Sequence, residues 1–318
     1  MTQHTWTLDE AAALYQLPFT ELLFRAQQIH REHFKPDELQ LAQLYNIQTG
    51  SCPEDCKYCP QSSHYQTDVI TQKTPDLAPL EEALIKAKAQ GATRFCITAS
   101  VRNPSTTLMK QILPMLKKVQ EHGLQTCLTA GMLTEDQTHT LKEAGLDYYN
   151  HNLDTSPEYY DKIITTRTYE DRLKTLEHVQ KAGINVCSGG ILGMGESVED
   201  RLKLLLQLAN LSPQPQSVPI NQLIATPGTP LENCALVNPI DFARIIACAR
   251  IMMPNSYIRL SGNRREMSDE AQTLAFLAGA NSIFIGEVLI TRKNALPERD
   301  QQLLEKLGFS TTECAVHD

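Results

Sequence analysis

Short apolar runs, rich in β-branched and aromatic residues, alternate along the chain with longer helical patterns. The runs are AQLYNIQT (42–49), TRFCITA (93–99), LQTCLTA (124–130), LDYYNHN (146–152), INVCSGG (184–190), SVPINQLI (217–224), SYIRLS (256–261) and NSIFIG (281–286), each of strand length. Between them, LEEALIKAKAQG (80–91) ends in a glycine stop, TEDQTHTLKEAG (134–145) opens as a capping box of Thr134 with Gln137, and SVEDRLKLLLQLAN (197–210) has an acidic first turn. Eight strands separated by helices imply parallel βαβ units, and eight such units in about 250 residues have the size of a TIM-type (β/α)8 barrel. The fold class is therefore read as α/β, with a doubly wound open sheet as the structural alternative. The N-terminal TLDEAAALYQLPFTELLFRAQQIHREHF reads as helical decoration opened by a capping box of Thr7 with Glu10, and LPERDQQLLEKLG (296–308) as a last helix. There is no Gly/Ser/Pro-rich linker, internal repeat or low-complexity tract. The expectation is one domain: an N-terminal helical extension (1–38), the barrel (39–290), and a C-terminal helix and tail (291–318).

Composition narrows the class. A chain of 318 residues with a 42% hydrophobic fraction can bury a sizeable core, yet no apolar run reaches the roughly 18 residues needed to span a bilayer. The start, MTQHTWTLDEAAALYQ, lacks a basic segment followed by an apolar one, so no signal peptide and a cytoplasmic location are expected. Net charge is −8 without a lysine/arginine stripe, which argues against a nucleic-acid surface. Nine cysteines in such a chain read as ligands or buried thiols rather than disulfides.

Three of them crowd into TGSCPEDCKYCPQ (49–61), where Cys52, Cys56 and Cys59 are spaced C-x3-C-x2-C directly after the first strand. In a barrel that is the C-terminal face, where active sites sit. Three thiolates so spaced suit a metal centre. With His64 nearby, a Cys3His zinc site is one reading. The other is a cubane iron–sulfur cluster, which normally takes four cysteines; with three, one iron stays open for a cofactor. A second group emerges from the strands. Cys96, Cys127 and Cys187 each follow a helix-ending glycine by four or five residues, and Arg259 has a comparable offset from Pro254. If all four point inward they meet in one layer. A buried guanidinium needs a partner, and anionic sulfur ligands would supply it. A cysteine in a strand is ordinarily only a small buried hydrophobe, and that reading stays open for each alone.

The C-x3-C-x2-C motif resembles the signature of the radical S-adenosylmethionine (SAM) enzymes. Over nearly the whole chain, TGSCPEDCKYCPQSS, TRFC, GLDYYNHNLDTSPEYY, IITTRTYEDRL, GINVCSGGILGMGE, NLSPQPQSVPIN, GTPL, ARIMMPNSYIRLS and FLAGANSIFIG resemble the biotin synthase family, with YNHNLDT and the cysteine–arginine layer the most specific. The resemblance implies a sulfurtransferase that converts dethiobiotin to biotin. In it, Cys52, Cys56 and Cys59 hold a [4Fe-4S] cluster, and Cys96, Cys127, Cys187 and Arg259 hold a [2Fe-2S] cluster that supplies sulfur. SAM bound at the open iron yields a 5′-deoxyadenosyl radical that abstracts hydrogen. By the same resemblance Tyr58 lies near the adenine, Asp154 takes the ribose hydroxyls, Arg172 pairs with the SAM carboxylate, and Asn150, Asn152 and Asn221 hold the ureido ring of dethiobiotin, Asn152 also facing SAM. A flavodoxin or ferredoxin as reductant and a homodimer are further family expectations.

From the residues themselves, Asn150, Asn152 and Asp154 alternate and so share a face if they lie in one strand. Arg172 reads equally as a solvated helix arginine. GMGE (193–196) reads as a tight turn, His151 as structural, and Cys234, Cys248 and Cys314 as packing or surface residues. Two stretches depart from the family pattern. Ile97-Thr98-Ala99-Ser100-Val101 replaces small residues followed by an aromatic, and Gly262-Asn263 places asparagine where glycine is usual. Asparagine tolerates left-handed backbone better than most residues. The competing readings are a radical SAM enzyme of another reaction, such as a hydrogenase-cofactor maturase or a methylornithine synthase, and a non-enzymatic iron–sulfur carrier or zinc-stabilised scaffold.

Overall fold

The computed structural model describes residues 4–72 and 77–312, so Cys314 lies outside the described residues. The strands are β1 (Glu38–Gln48), β2 (Arg94–Ala99), β3 (Gln125–Thr129), β4 (Tyr148–Asn150), β5 (Asn185–Cys187), β6 (Gly190–Leu192), β7 (Ser217–Gln222), β8 (Tyr257–Leu260), β9 (Ser282–Ile285), β10 (Val288–Leu289), β11 (Arg292–Lys293) and β12 (Ser310–Thr311). The α-helices are α1 (Leu8–Gln16), α2 (Phe19–His33), α3 (Leu77–Ala89), α4 (Thr106–Glu121), α5 (Glu135–Glu143), α6 (Pro157–Tyr160), α7 (Tyr169–Lys181), α8 (Val198–Ala209), α9 (Pro239–Met252), α10 (Asp269–Leu277) and α11 (Pro297–Leu307). The capping boxes read from Thr7 and Thr134 both form, and Thr168 with Asp171 and Ser197 with Asp200 add two more. Each starts a helix by satisfying backbone donors that the first turn leaves free.

The barrel strands run β1-β2-β3-β4-β5-β7-β8-β9, all parallel, and β9 pairs back with β1, which closes the sheet and rules out the open alternative. Register shows how. From Leu44 the partners run Cys96, Cys127, Tyr148, Asn185; one inward step up, from Cys187, they run Ser217, Tyr257; another step up, from Arg259, they run Ser282, Gln40. The circuit climbs four residues and still lands four below its start on β1, a stagger of eight, the shear of a (β/α)8 barrel.

Strand faces divide the molecule. On β2, Phe95 and Ile97 enter the main apolar core between barrel wall and helices, while Cys96 and Thr98 face the interior. The N-terminal extension packs as part of the same body: α2 lies on α9, α1 lies on α8 and α9, and Arg244 Nη1 donates to Tyr15 O (2.7 Å) and Leu17 O (2.8 Å).

Two strands fall furthest short of their sequence runs. The fourth ends at Asn150 rather than 152, and the fifth stops at Cys187 and resumes at Gly190. The cause is a close approach at Ser188-Gly189-Gly190. A Cβ on Gly189 would stand 1.9 Å from Pro219 O, so only glycine lets the fifth strand step past β7. Across the break, Leu153 N and Asp154 N both donate to Gly189 O (3.0 and 3.1 Å). The hairpin β10–β11 has no counterpart among the elements expected from the sequence, and it straddles residue 290, where the barrel was expected to end. No helix among the described residues is long and apolar enough to cross a membrane.

Candidate metal and cofactor site

After β1 the chain turns through Gly50 and Ser51, at φ 71° and 51°, into the cysteine loop. Cys52 N donates to Gln61 O (2.9 Å), Ser63 N to Cys52 O (2.8 Å) and Cys59 N to Cys56 O (2.9 Å), which folds the loop on itself. Cys52, Cys56 and Cys59 thereby line one cavity of about 230 Å³. Burial pushes the Cys59 thiol up to about 12 and raises Cys56 as well. Cys56 is buried and Cys52 and Cys59 are half-buried, and three such thiols on one cavity suit a positive centre that displaces their protons. His64 does not line this cavity; its Nε2 lies 3.1 Å from Pro53 O. A single zinc ion draws its ligands onto one point, and no group of three His, Cys, Asp or Glu does so among the described residues. Three thiols lining one cavity without meeting at one point would suit a polynuclear centre.

The same cavity carries Tyr58, Asn150, Asn152, Asp154, Arg172 and Asn221. Asp154, at φ 69°, is not in a strand, yet the Gly189 contacts keep its carboxylate on the cavity side with the asparagines. Tyr58 Oη donates to Asp154 Oδ2 (2.6 Å), and Arg172 Nη2 lies 2.5 Å from the same oxygen. That last contact is a buried ion pair. Arg172 also donates to Tyr160 Oη and to Asn152 O. At 3% exposure it is no solvated helix arginine; it faces the site from α7. The resemblance gives Asp154 the ribose hydroxyls and Arg172 the carboxylate of SAM; in this structure the two also pair with each other.

GMGE is a tight turn, as its glycines suggest. Glu196 closes it by accepting from Gly193 N (2.8 Å) and Met194 N (2.6 Å), and the turn does not line the cavity. His151 does line it. Its ring is buried against Tyr149, burial drives its pKa well below 6.5, and Nε2 has no partner. Asn263 sits at φ 66°, so asparagine takes a left-handed position there.

Deeper in the barrel, Cys96, Cys127, Cys187 and Arg259 line a second cavity of about 90 Å³. Cys96 and Cys127 are register partners; Cys187 is two residues higher and Arg259 four higher. The tilt of the strands brings this staircase to one level. Arg259 is 0% exposed; its Nε donates to Ser282 Oγ (2.8 Å) and its Nη2 to Gln40 Oε1 (3.1 Å), while Nη1 is buried with no partner. Below it, Arg94 stacks on Tyr148 with its Cζ 3.4 Å from the ring centroid, and Arg94 Nη1 is also buried without a partner. Burial opposes ionisation of Cys96, but its hydrogen bond with Cys127 and the Arg259 and Arg94 guanidiniums lower it; the same hydrogen bond and burial raise Cys127, so the pair gives up one proton more readily than two. A partnerless buried guanidinium nitrogen of Arg259 on the cavity wall with three thiols, and the Arg94 charge acting on Cys96 and Cys127 from below, fit an anionic sulfur-ligated cluster.

The asparagines join the two cavities. Asn150, Asn152 and Asn221 line both. Asn150 Nδ2 lies 3.3 Å from Cys187 Sγ. The Asn221 amide is engaged by backbone, donating to Gly190 O (3.0 Å) and accepting from Gly262 N (2.9 Å). Ile290, on the hairpin, closes both cavities from above and is tied to β1 where Asn46 Nδ2 donates to its carbonyl. Sequence reasoning missed Gln40, Ser282 and Arg94. Each is a polar position in an apolar strand, two residues from an inward-facing neighbour (Ala42, Phe284 and Cys96), and that alternation would have found them. Cys248 is buried in the main core, as its reading as a packing residue implies. Cys234 packs half-buried beside Cys56 and Tyr160.

Residues 46–208 match the radical SAM superfamily, and residues 219–310 match the biotin and thiamin synthesis associated domain. The biotin synthase of Pseudomonas aeruginosa is 55% identical over 316 residues, 99% of this chain and 90% of that protein. The biotin synthase of Marinobacter nauticus is 53% identical over 320 residues, covering 100% of this chain and 91% of that protein. Among solved structures, a methylornithine synthase superposes with a TM-score of 0.82 at 17% identity (98% of this chain, 95% of that one), and a maturase of the [FeFe]-hydrogenase with 0.84 at 16% (97% and 72%). At such identities these two share the fold alone.

Proposed function

The chain belongs to the biotin synthase family within the radical SAM superfamily, and from that premise we propose how its residues divide the work. It is an enzyme of the sulfurtransferase radical SAM type, with a [4Fe-4S] cluster and SAM as cofactors, dethiobiotin as substrate and an external reductant. Cys52, Cys56 and Cys59 would hold the [4Fe-4S] cluster, leaving one iron for SAM. Cys96, Cys127, Cys187 and Arg259 would hold a [2Fe-2S] cluster. When bound, the first cluster with SAM supplies a radical that removes hydrogen from dethiobiotin, and the second cluster supplies sulfur.

The observation that carries this reading is the pair of adjoining cavities. Each is lined by three thiols, and the inner one also has a buried, partnerless arginine nitrogen. Asp154 offers its carboxylate to the ribose hydroxyls, in competition with the Tyr58 hydroxyl it now accepts. Arg172 orients Asp154 through Nη2 and stands on the cavity wall, where its guanidinium would meet the carboxylate of SAM. Asn150 and Asn152, standing between the cavities, hold the cyclic urea, since an amide offers both donors and an acceptor. Asn221, which lines both cavities and keeps a second N–H and a second oxygen lone pair beyond its backbone bonds, is the third amide for the urea. Leu289, Ile290 and Phe284 exclude water from the inner cavity. The protein's contribution is placement of radical source, substrate and sulfur in line. By the family resemblance the reductant is a flavodoxin or ferredoxin and the working form a cytoplasmic homodimer. Residues 39–290 act as the barrel, flanked by the 1–38 extension and the 291–318 tail.

The test is anaerobic reconstitution with iron and sulfide, followed by visible and electron paramagnetic resonance spectra with and without SAM, for the parent and Cys187→Ala. Two clusters are expected in the parent, one perturbed by SAM and the other lost in Cys187→Ala. A single SAM-responsive cluster untouched by the substitution would remove the basis for sulfur insertion.

A further inference from the structure

Arg167 lies in the run IITTRTYED, between α6 and α7, and reaches back over the cysteine loop. Its Nε lies 3.7 Å from Glu54 Oε2, and Nη2 donates to Cys56 Sγ at 3.8 Å. The loop and this segment form a clasp. Glu54, 2% exposed, also pairs with Arg102 Nη1 at 3.2 Å and accepts from Thr166 Oγ1. Asp55 accepts from Thr165 N (2.9 Å) and Thr166 N (3.1 Å), and Lys57 N donates to Ile163 O (3.1 Å). The guanidinium is thus held from one side by an acid that is itself held, and its other end is aimed at a thiol of the first site.

We propose that Arg167 is a positioning residue that sets the reduction potential of the cluster held by Cys56, through its hydrogen bond to Cys56 Sγ. The inference rests on the assignment of that cluster given above. Adding an electron makes a thiolate-ligated cluster more negative. A charged donor at a ligand sulfur therefore stabilises the reduced form more than the oxidised one and raises the potential. The contact is largely shielded from water, which strengthens it. A clasp that served only to shape the loop would alter cluster loading but not the potential of the loaded cluster.

The experiment is a redox titration of the SAM-responsive cluster in the reconstituted holoenzyme, for the parent, Arg167→Lys and Arg167→Met, with iron and sulfide counted per chain. Arg167→Met is expected to load normally and to show a ratio of reduced to oxidised cluster about tenfold lower at a fixed potential, a midpoint about 59 mV lower for one electron. Arg167→Lys is expected to shift less. Because Arg167→Met leaves Glu54 short of a partner, the double variant Glu54→Gln/Arg167→Met, which removes both charges, is titrated beside it. A parental midpoint in every variant that loads, or loss of loading in all of them, leaves Arg167 a structural clasp only and overturns the proposal. Cys56→Ala separates the two levels: a SAM-responsive cluster surviving there would overturn the cluster assignment itself.

Discussion

The two thiol sites are built in opposite ways. The first hangs on an irregular loop, Cys52 to Cys59, held by loop hydrogen bonds and by the 163–167 clasp. The second is built into the barrel wall, where strand register decides which residues meet, and its outer support is side chains on neighbouring strands, Gln40 and Ser282. A loop site leaves an open face for an exchangeable cofactor; a wall site is closed and rigid. The difference supports the proposed division of roles, a reagent that enters and leaves on one side and a sulfur source held in line on the other.

The sharpest way to break this comparison is Cys127→Ala. Biotin formation should fall by more than about 100-fold, beyond the 10–100-fold that losing an outer partner costs, while reductive cleavage of SAM persists. Equal loss of both activities would merge the two sites into one. Next comes Asp154→Asn, measured by equilibrium binding of SAM. Loss of a charge-assisted contact of about 1.5–3 kcal/mol should weaken SAM roughly 10- to 150-fold with both clusters still assembled. Unchanged SAM affinity would remove the ribose role. Gln40→Ala probes the wall alone: Arg259 keeps its hydrogen bond to Ser282 and its place over the Phe284 ring, and loading of the inner cluster should weaken about tenfold while the SAM-responsive cluster is unaffected. If the SAM-responsive cluster also suffers, the sites are not independently supported. The smallest effect belongs to Thr134→Ala, which removes the cap of α5. Thermal unfolding should show a loss of about 1 kcal/mol with both clusters unchanged.

The wall is more legible than the loop. Strand positions follow from apolar runs and helix-ending glycines, so the relative depth of Cys96, Cys127, Cys187 and Arg259 can be compared by counting along the chain. What sequence spacing does not carry is stagger. Cys187 and Arg259 stand two and four residues above Cys96 in register, and only the tilt of a closed barrel levels them. The break at Gly189 is illegible for a related reason: a close approach between backbones leaves only a glycine pair as its mark, and glycine pairs mean several things. For the loop, the C-x3-C-x2-C spacing announces a metal centre, but the ion pair between Asp154 and Arg172 and the clasp from Arg167 join residues far apart in the chain that no local pattern links.

Gln40 marks the seam of the barrel. It lies on β1 opposite Ser282 on β9, the first and last strands of the circuit, and its side chain holds Arg259. The two sites therefore differ in how much of the chain they draw on. The loop cysteines and the clasp that holds them lie within residues 52–167, so a change elsewhere in the barrel reaches them only through packing. The support of the inner site runs from Gln40 to Ser282, so anything that opens the junction of first and last strands acts on Arg259 directly.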